Sequence, residues 1–174
     1  MGVLLMSDLI FALDPGPHES GWVLYERRKV LDFGKGLNIG IMQMIRADGQ
    51  LECTPSNVPH PATMTIEMIA CYGMRVGSDI FETCTWIGAF EEGWRRRHHG
   101  ELSVRLYRRD VKKYVCDSYA ANDADVRAAL IDRYGGKAAA IGLKATPGPL
   151  YGMKADMWQA LALAVTYDET RGEG

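Results

Sequence analysis

Hydrophobic residues come first in short unbroken runs and later at helical spacing, and that change of period divides the chain into strands and helices. Leu4 to Leu13, Ser20 to Glu26 and Lys29 to Leu37 predict three strands in an antiparallel meander, with Arg27-Arg28 as the tight turn between the last two. Ile41, Met44 and Ile45 mark a helix over Ile39 to Ala47. Asp48 to Pro61, with three prolines and a glycine, predicts a loop. The apolar, β-branched run Ala62 to Ala70 reads as a core strand, because strands buried on both faces are continuously hydrophobic. Asp79 to His99 predicts a long helix with Ile80, Thr83, Ile87, Phe90 and Trp94 along one face and Ser78 or Asp79 as its cap. Leu102 to Tyr107 predicts a strand, followed by short helices over Asp110 to Cys116 and Asp123 to Tyr134. Asn122 to Asp125 supplies capping residues for the second, and Gly135-Gly136 stops it. Ala138 to Gly152 is rich in glycine and proline and predicts a loop. A last helix, from Lys154 to Tyr167, puts Trp158, Leu161, Ala162 and Val165 on one face.

Three carboxylates break this pattern. Asp14 ends the run Leu9 to Leu13 and is followed by Pro15-Gly16. Burying an unpaired charge is costly, so Asp14 either caps its turn or holds a metal ion; the segment alone leaves both open. Glu67 interrupts a core strand, where a carboxylate has no capping role. Asp156 stands in the first turn of the last helix, where the helix dipole favours a negative charge without any chemistry.

Composition adds bounds rather than identity. The chain has 174 residues, 47% of them hydrophobic and 24% charged, which predicts one globular domain over residues 1–170 and a frayed tail at 171–174. No apolar run approaches the ~20 residues of a transmembrane helix, and Met1 to Asp8 lacks the basic start of a secretory signal. Cys53, Cys71, Cys84 and Cys116 are widely spaced, which predicts free buried thiols in a reducing cytoplasm rather than a zinc site. The net charge of −2 does not announce a nucleic-acid binder, so any such role rests on local patches. Arg95-Arg96-Arg97-His98-His99 reads equally as a solvated helix end or a contact surface. Arg105, Arg108, Arg109, Lys112 and Lys113 form the better candidate for DNA contact. Asp123 and Asp125 read as helix-start residues. Gly34-Lys35-Gly36 has neither the spacing nor the ending of a phosphate loop.

In combination the motifs are more specific. Phe11-Ala12-Leu13-Asp14-Pro15-Gly16, the strand-borne Glu67 and Asp156-Met157-Trp158-Gln159-Ala160-Leu161-Ala162 resemble, in order and spacing, the RuvC-type Holliday junction resolvases of the RNase H-like superfamily. The resemblance runs from about Leu9 to Thr166 and is greatest to the short RuvC-like proteins of bacteriophages. It implies an α/β fold with a mixed five-stranded sheet flanked by helices. It further implies a metal-dependent endonuclease that hydrolyses branched DNA and leaves nicked duplexes with 5′-phosphates. Asp14, Glu67 and Asp156 would hold Mg²⁺, with Mn²⁺ as a substitute, and Asp14 would bridge the ions. The expected partners are branched DNA and a second copy of the chain, with Trp86, Ile87, Phe90 and Trp94 able to serve either the dimer or the protomer's own core. The host-cell cytoplasm is the expected location for a phage-encoded member.

Two positions depart from the cellular members. Gln159 stands where they carry a second acidic residue or a histidine, and a carboxamide cannot act as a base. Ala70 stands where they carry a base-stacking aromatic, which leaves Tyr72 as the replacement or as a residue that packs beside the strand. Lys112, Lys113, Lys144 and Lys154 are candidates to offset charge at a reacting phosphate, and Lys144 is also a DNA-contact candidate. A catalytically silent junction binder and an RNase H-like nuclease acting on RNA–DNA hybrids are the alternatives.

Overall fold

The computed structural model describes residues 8–46, 63–73 and 75–171. The predicted loop Asp48 to Pro61, Cys53 and the positions 172–174 of the tail lie outside them. Five strands form one mixed sheet: β1 (Ile10–Asp14), β2 (Glu19–Glu26), β3 (Lys29–Leu37), β4 (Thr63–Met68) and β5 (Val104–Tyr107). Their order is β3-β2-β1-β4-β5; β1–β2 and β2–β3 pair antiparallel, while β1–β4 and β4–β5 pair parallel. The β2–β3 turn runs through Arg27 and Arg28, both in the left-handed region at φ 47° and 67°.

Strand alternation sorts the core into two layers. Phe11, Leu13, Trp22, Leu24, Met64 and Ile66 face α1 (Asn38–Arg46) and α2 (Ser78–Arg97). Ile10, Ala12, Val23 and Tyr25 face α3 (Arg108–Cys116), α4 (Asp123–Arg133) and a C-terminal helix over Asp156–Thr170. That last helix is buried continuously from Trp158 to Thr166, with the sheet below it and α3 and α4 against it. A helix apolar all round belongs inside.

Several expectations need correction. The first strand begins at Ile10, and Leu4 to Ser7 lie outside the described residues. Residues 138–152 are not a plain loop. They hold the end of a short helix, α5 (Lys137–Ala140), and a two-stranded hairpin of β6 (Gly142–Leu143) and β7 (Thr146–Pro147). Buried Ala140 and Leu150 and the Leu150 N–H bond to the Ala140 carbonyl (2.8 Å) anchor this segment. The C-terminal helix, α6, starts at Asp156 rather than Lys154. Gly77 takes the N-cap position of α2 without a side-chain cap bond, so neither Ser78 nor Asp79 is the cap. Ile87, Phe90 and Trp94 are buried under the protomer's own sheet. Of the described cysteines, all free, Cys71 and Cys84 are exposed and Cys116 is partly covered. Arg171, placed in the frayed tail, pairs with Asp168 at 2.7 Å. No described helix is long and apolar enough to cross a membrane.

Candidate active site

Strand register sets out one row of side chains across the sheet. Asp14, the last residue of β1, lies opposite Gly21 of β2, and Gly21 lies opposite Lys35 of β3. On the other side Leu13 is level with Ile66, so Asp14 and Glu67 are the next neighbours along the parallel pair β1–β4. Alternation places Asp14, Gly21, Lys35 and Glu67 on the face that α6 covers, together with Ala12, Val23 and Phe33.

Gly21 lets the third carboxylate in. A Cβ there would lie 2.6 Å from the carbonyl carbon of Asp156 and 2.8 Å from its Cβ. The start of α6 therefore rests directly on the backbone of β2, above the gap between Asp14 and Lys35. Behind the row, the Asp14-Pro15-Gly16 turn is held from within. Ser20 Oγ donates to Asn38 Oδ1 at 2.6 Å, and Asn38 Nδ2 donates to the Gly16 carbonyl at 2.9 Å, both residues being fully buried.

Two of the three carboxylates are paired with cations. Lys35 Nζ lies 2.7 Å from Asp156 Oδ2 and 3.6 Å from Glu19 Oε2. Arg108 reaches Glu67 through Nη1 at 3.2 Å and Asp123 through Nη2 at 2.6 Å. Asp14 has no such partner among the described residues. Burial first, and then the charge of Glu67, hold its carboxyl well above the ordinary carboxylate range, with Arg108 offsetting only part. Burial also raises Glu67, against the pull of Arg108. The hydrogen bond to Asp156 raises Lys35.

Asp14, Asp156 and Gln159 open onto a cleft of about 820 Å³ that Arg108, Asp123, Arg127, Lys154 and Trp158 also line. Gln159 is only 6% exposed, and no described residue hydrogen-bonds its carboxamide. Arg127 lies over the Trp158 ring at 5.2 Å. Lys35, Asp123 and Arg127 were not singled out as site residues by sequence reasoning. Lys35 had one legible signal, a cation between two glycines in a strand.

The candidate DNA-contact residues divide. Lys112 is half-buried on α3, one turn from Arg108, and its charge is felt at Glu67. Arg109 packs its guanidinium over Tyr119 at 4.5 Å and Tyr72 at 5.8 Å, and Lys113 lies 5.7 Å from the Tyr119 ring. These four form one exposed cationic and aromatic surface past the end of β4. Arg105 points to the opposite face and grips Glu91 of α2 through two bonds, at 2.7 and 2.6 Å. Lys144 is exposed at the β6–β7 turn and does not line the cleft; Lys154 does. Arg95 and Arg96 are both spent on Glu92.

Among the described residues no three acidic, histidine or cysteine side chains form a ready metal cage. The donor set nevertheless fits a hard divalent cation, which takes carboxylate and carbonyl oxygens. Among the described residues Asp14 is in no ion pair and the Gln159 carboxamide has no hydrogen-bond partner, and the bare backbone at Gly21 admits Asp156 beside them.

No family model matches this sequence, and no curated protein matches it either. Solved structures do. A Thermus thermophilus RuvC structure superposes with a TM-score of 0.63 at 15% identity, over 95% of this chain and 96% of that one. The chain has a RuvC-like fold. A second structure, of T. thermophilus RuvC in complex with Holliday junction substrate, superposes with a TM-score of 0.61 at 13% identity, over 91% and 92% of the two chains. On this RuvC-like, RNase H-like fold the row described above lies where the two central parallel strands end beneath the start of the last helix.

Proposed function

We propose that this protein is a divalent-metal-dependent endonuclease that hydrolyses Holliday junctions or other branched DNA. One observation carries the reading: on a RuvC-like fold, Asp14, Glu67 and Asp156 come from distant segments to one end of one sheet face. A chain stabilised by its core alone has no use for two adjacent buried carboxylates, one of which raises the other's cost of ionisation.

Asp14, Glu67 and Asp156 would hold the ion, with Mg²⁺ expected and Mn²⁺ able to substitute. Bound there, it would supply charge for an attacking water and a leaving oxygen. The chain's own groups do the rest. Gln159 offers a carbonyl oxygen or an amide donor to whatever fills the cleft. Arg127, braced on Trp158, and Lys154 attract the phosphate backbone to the cleft wall. Lys112 adds charge near Glu67, and Arg109, Lys113 and Tyr72 extend the binding surface outward. A homodimer fits this reading, because two symmetric strands require two symmetric cuts.

A silent junction binder is the second reading, favoured by the Lys35–Asp156 and Arg108–Glu67 ion pairs and by Gln159. Purified protein is to be incubated with a synthetic four-way junction, a linear duplex and an RNA–DNA hybrid, each with Mg²⁺ or EDTA. The expected outcome is Mg²⁺-dependent cutting of the junction that Asp14→Asn abolishes. Junction binding without cutting establishes the silent binder. Selective cutting of the hybrid makes the protein a ribonuclease instead.

A further inference from the structure

Asp123 was expected only to start a helix, yet it takes no part in capping α4. The capping box there is made by Asn122 and Asp125: the Asn122 side chain accepts from the N–H groups of Ala124 and Asp125, and the Asp125 carboxylate accepts from the N–H of Asn122. The Asp123 carboxylate turns instead to Arg108, the first residue of α3, across the mouth of the cleft.

The two ends of that bridge are unequal. The Arg108–Asp123 bond is a short charge-assisted one at 2.6 Å, and its carboxylate is 66% exposed. The Arg108–Glu67 contact is 3.2 Å to one oxygen and 3.5 Å to the other, on a carboxylate only 12% exposed. The guanidinium is thus anchored on the outer carboxylate and leans loosely on the inner one. A cation that serves Glu67 permanently would have the opposite arrangement, because the buried charge is the one that most needs a close partner.

We infer that Arg108 is a placeholder cation, tethered by Asp123, that holds Glu67 ready until a divalent ion replaces it. The inference rests on Glu67 and Asp14 being metal ligands. Before the ion arrives, Arg108 supplies the hydrogen-bonded positive charge of a buried carboxylate. When the ion takes Glu67, Arg108 stays on Asp123, and no charge is left bare on either side. Arg108 and Asp123 are positioning residues: neither needs to touch the reacting phosphate. The arrangement also separates Arg108 from the phosphate-contact role that its sequence suggests.

The test measures Mn²⁺ binding to the DNA-free protein by the electron paramagnetic resonance of free Mn²⁺, with the fold of each variant checked by circular dichroism. Arg108→Met should bind Mn²⁺ several-fold more tightly than wild type, because the competitor is gone. Asp123→Asn should bind it several-fold more weakly, because Arg108 then has only Glu67 to rest on, and Asp123→Glu should restore wild-type binding. In the Arg108→Met background, Asp123→Asn should change little. That non-additivity is the signature of one residue acting through the other. If Arg108→Met does not fold, Arg108→Gln takes its place, with the same outcomes. Equal weakening by Asp123→Asn in both backgrounds means that Asp123 acts by its own charge and overturns the tether. Unchanged affinity in the Arg108 variant overturns the placeholder. If wild type and Asp14→Asn bind Mn²⁺ alike, the metal site itself falls, and the inference with it.

Discussion

Gly21→Ala isolates the contact that brings the third carboxylate to the other two. The added methyl would meet the Asp156 carbonyl carbon at 2.6 Å, its oxygen at 2.8 Å and its Cβ at 2.8 Å. Carbon atoms rest ~3.5–4.0 Å apart, so the start of α6 must withdraw by roughly 1 Å. Most of the obstructing atoms are backbone, and β2 is paired on both edges, so no flexible side chain absorbs the overlap. Overpacking of this kind costs about 1–3 kcal/mol, which lowers the melting temperature by roughly 2–12 °C in a domain of this size. Under the proposed function the effect on cleavage would be larger, because a misplacement of about 1 Å at a catalytic constellation costs about 10²-fold. Gly36→Ala is the control: its nearest neighbour would be Ile41 Cδ1 at 3.9 Å, and it should shift stability by less than about 1 kcal/mol. Thermal melts and single-turnover cutting of a four-way junction read both effects. A Gly21→Ala protein that melts and cuts like wild type would mean that the β2–α6 contact does not set the place of Asp156.

Asp14→Asn should also report on the raised carboxyl. The folded pKa lies above the unfolded value near 3.8, so stability is full below that value and is lost as pH rises through the folded pKa. The variant escapes that loss, so its metal-free form should melt like wild type below pH 3.8 and above it at pH 8; equal melting at both pH values means that Asp14 carries no burden of burial. Replacing Arg109 and Lys112 by Ala should weaken binding to all DNA alike and flatten the log–log salt dependence by about 1–2, while Arg95→Ala with Arg96→Ala leaves both unchanged. The reverse result puts the DNA on the α2 face. Phe90→Ala, at a fully buried site, should cost about 3–5 kcal/mol in urea titrations without changing the mass seen by light scattering. A small stability loss with a dimer falling apart would make that face of α2 the interface.

The strands and helices were legible where period and punctuation agreed. β2, β3 and the Arg27-Arg28 turn fall where alternation and composition put them, and α4 stops at Gly135-Gly136. The segment 138–152 departs from the predicted loop because its glycines and prolines serve tight turns. Gly142 at φ 67° and Gly148, packed tightly on the Ala139 and Ala140 carbonyls, build a small hairpin there. Asp14, Glu67 and Asp156 stood out because each is a charge in an apolar setting. Lys35, Asp123 and Arg108 could not be placed the same way: their partners are 121, 15 and 41 positions distant, and a charge on an exposed strand or helix start looks ordinary until its partner is known. The turning of Arg105 toward Glu91 depends on strand parity at β5, which the run Leu102 to Tyr107 left unfixed.

The burial of β1 beneath α6 joins the beginning of the chain to its end. About 140 residues separate Asp14 from Asp156, and at ~5–20 residues per second the ribosome needs roughly 7–28 s to make them. During that interval the central strand lacks its cover, and the site lacks a side. A nascent or prematurely terminated chain would lack Asp156 and the α6 wall of the cleft, so under the proposed function synthesis itself would keep the site inactive until that helix docks.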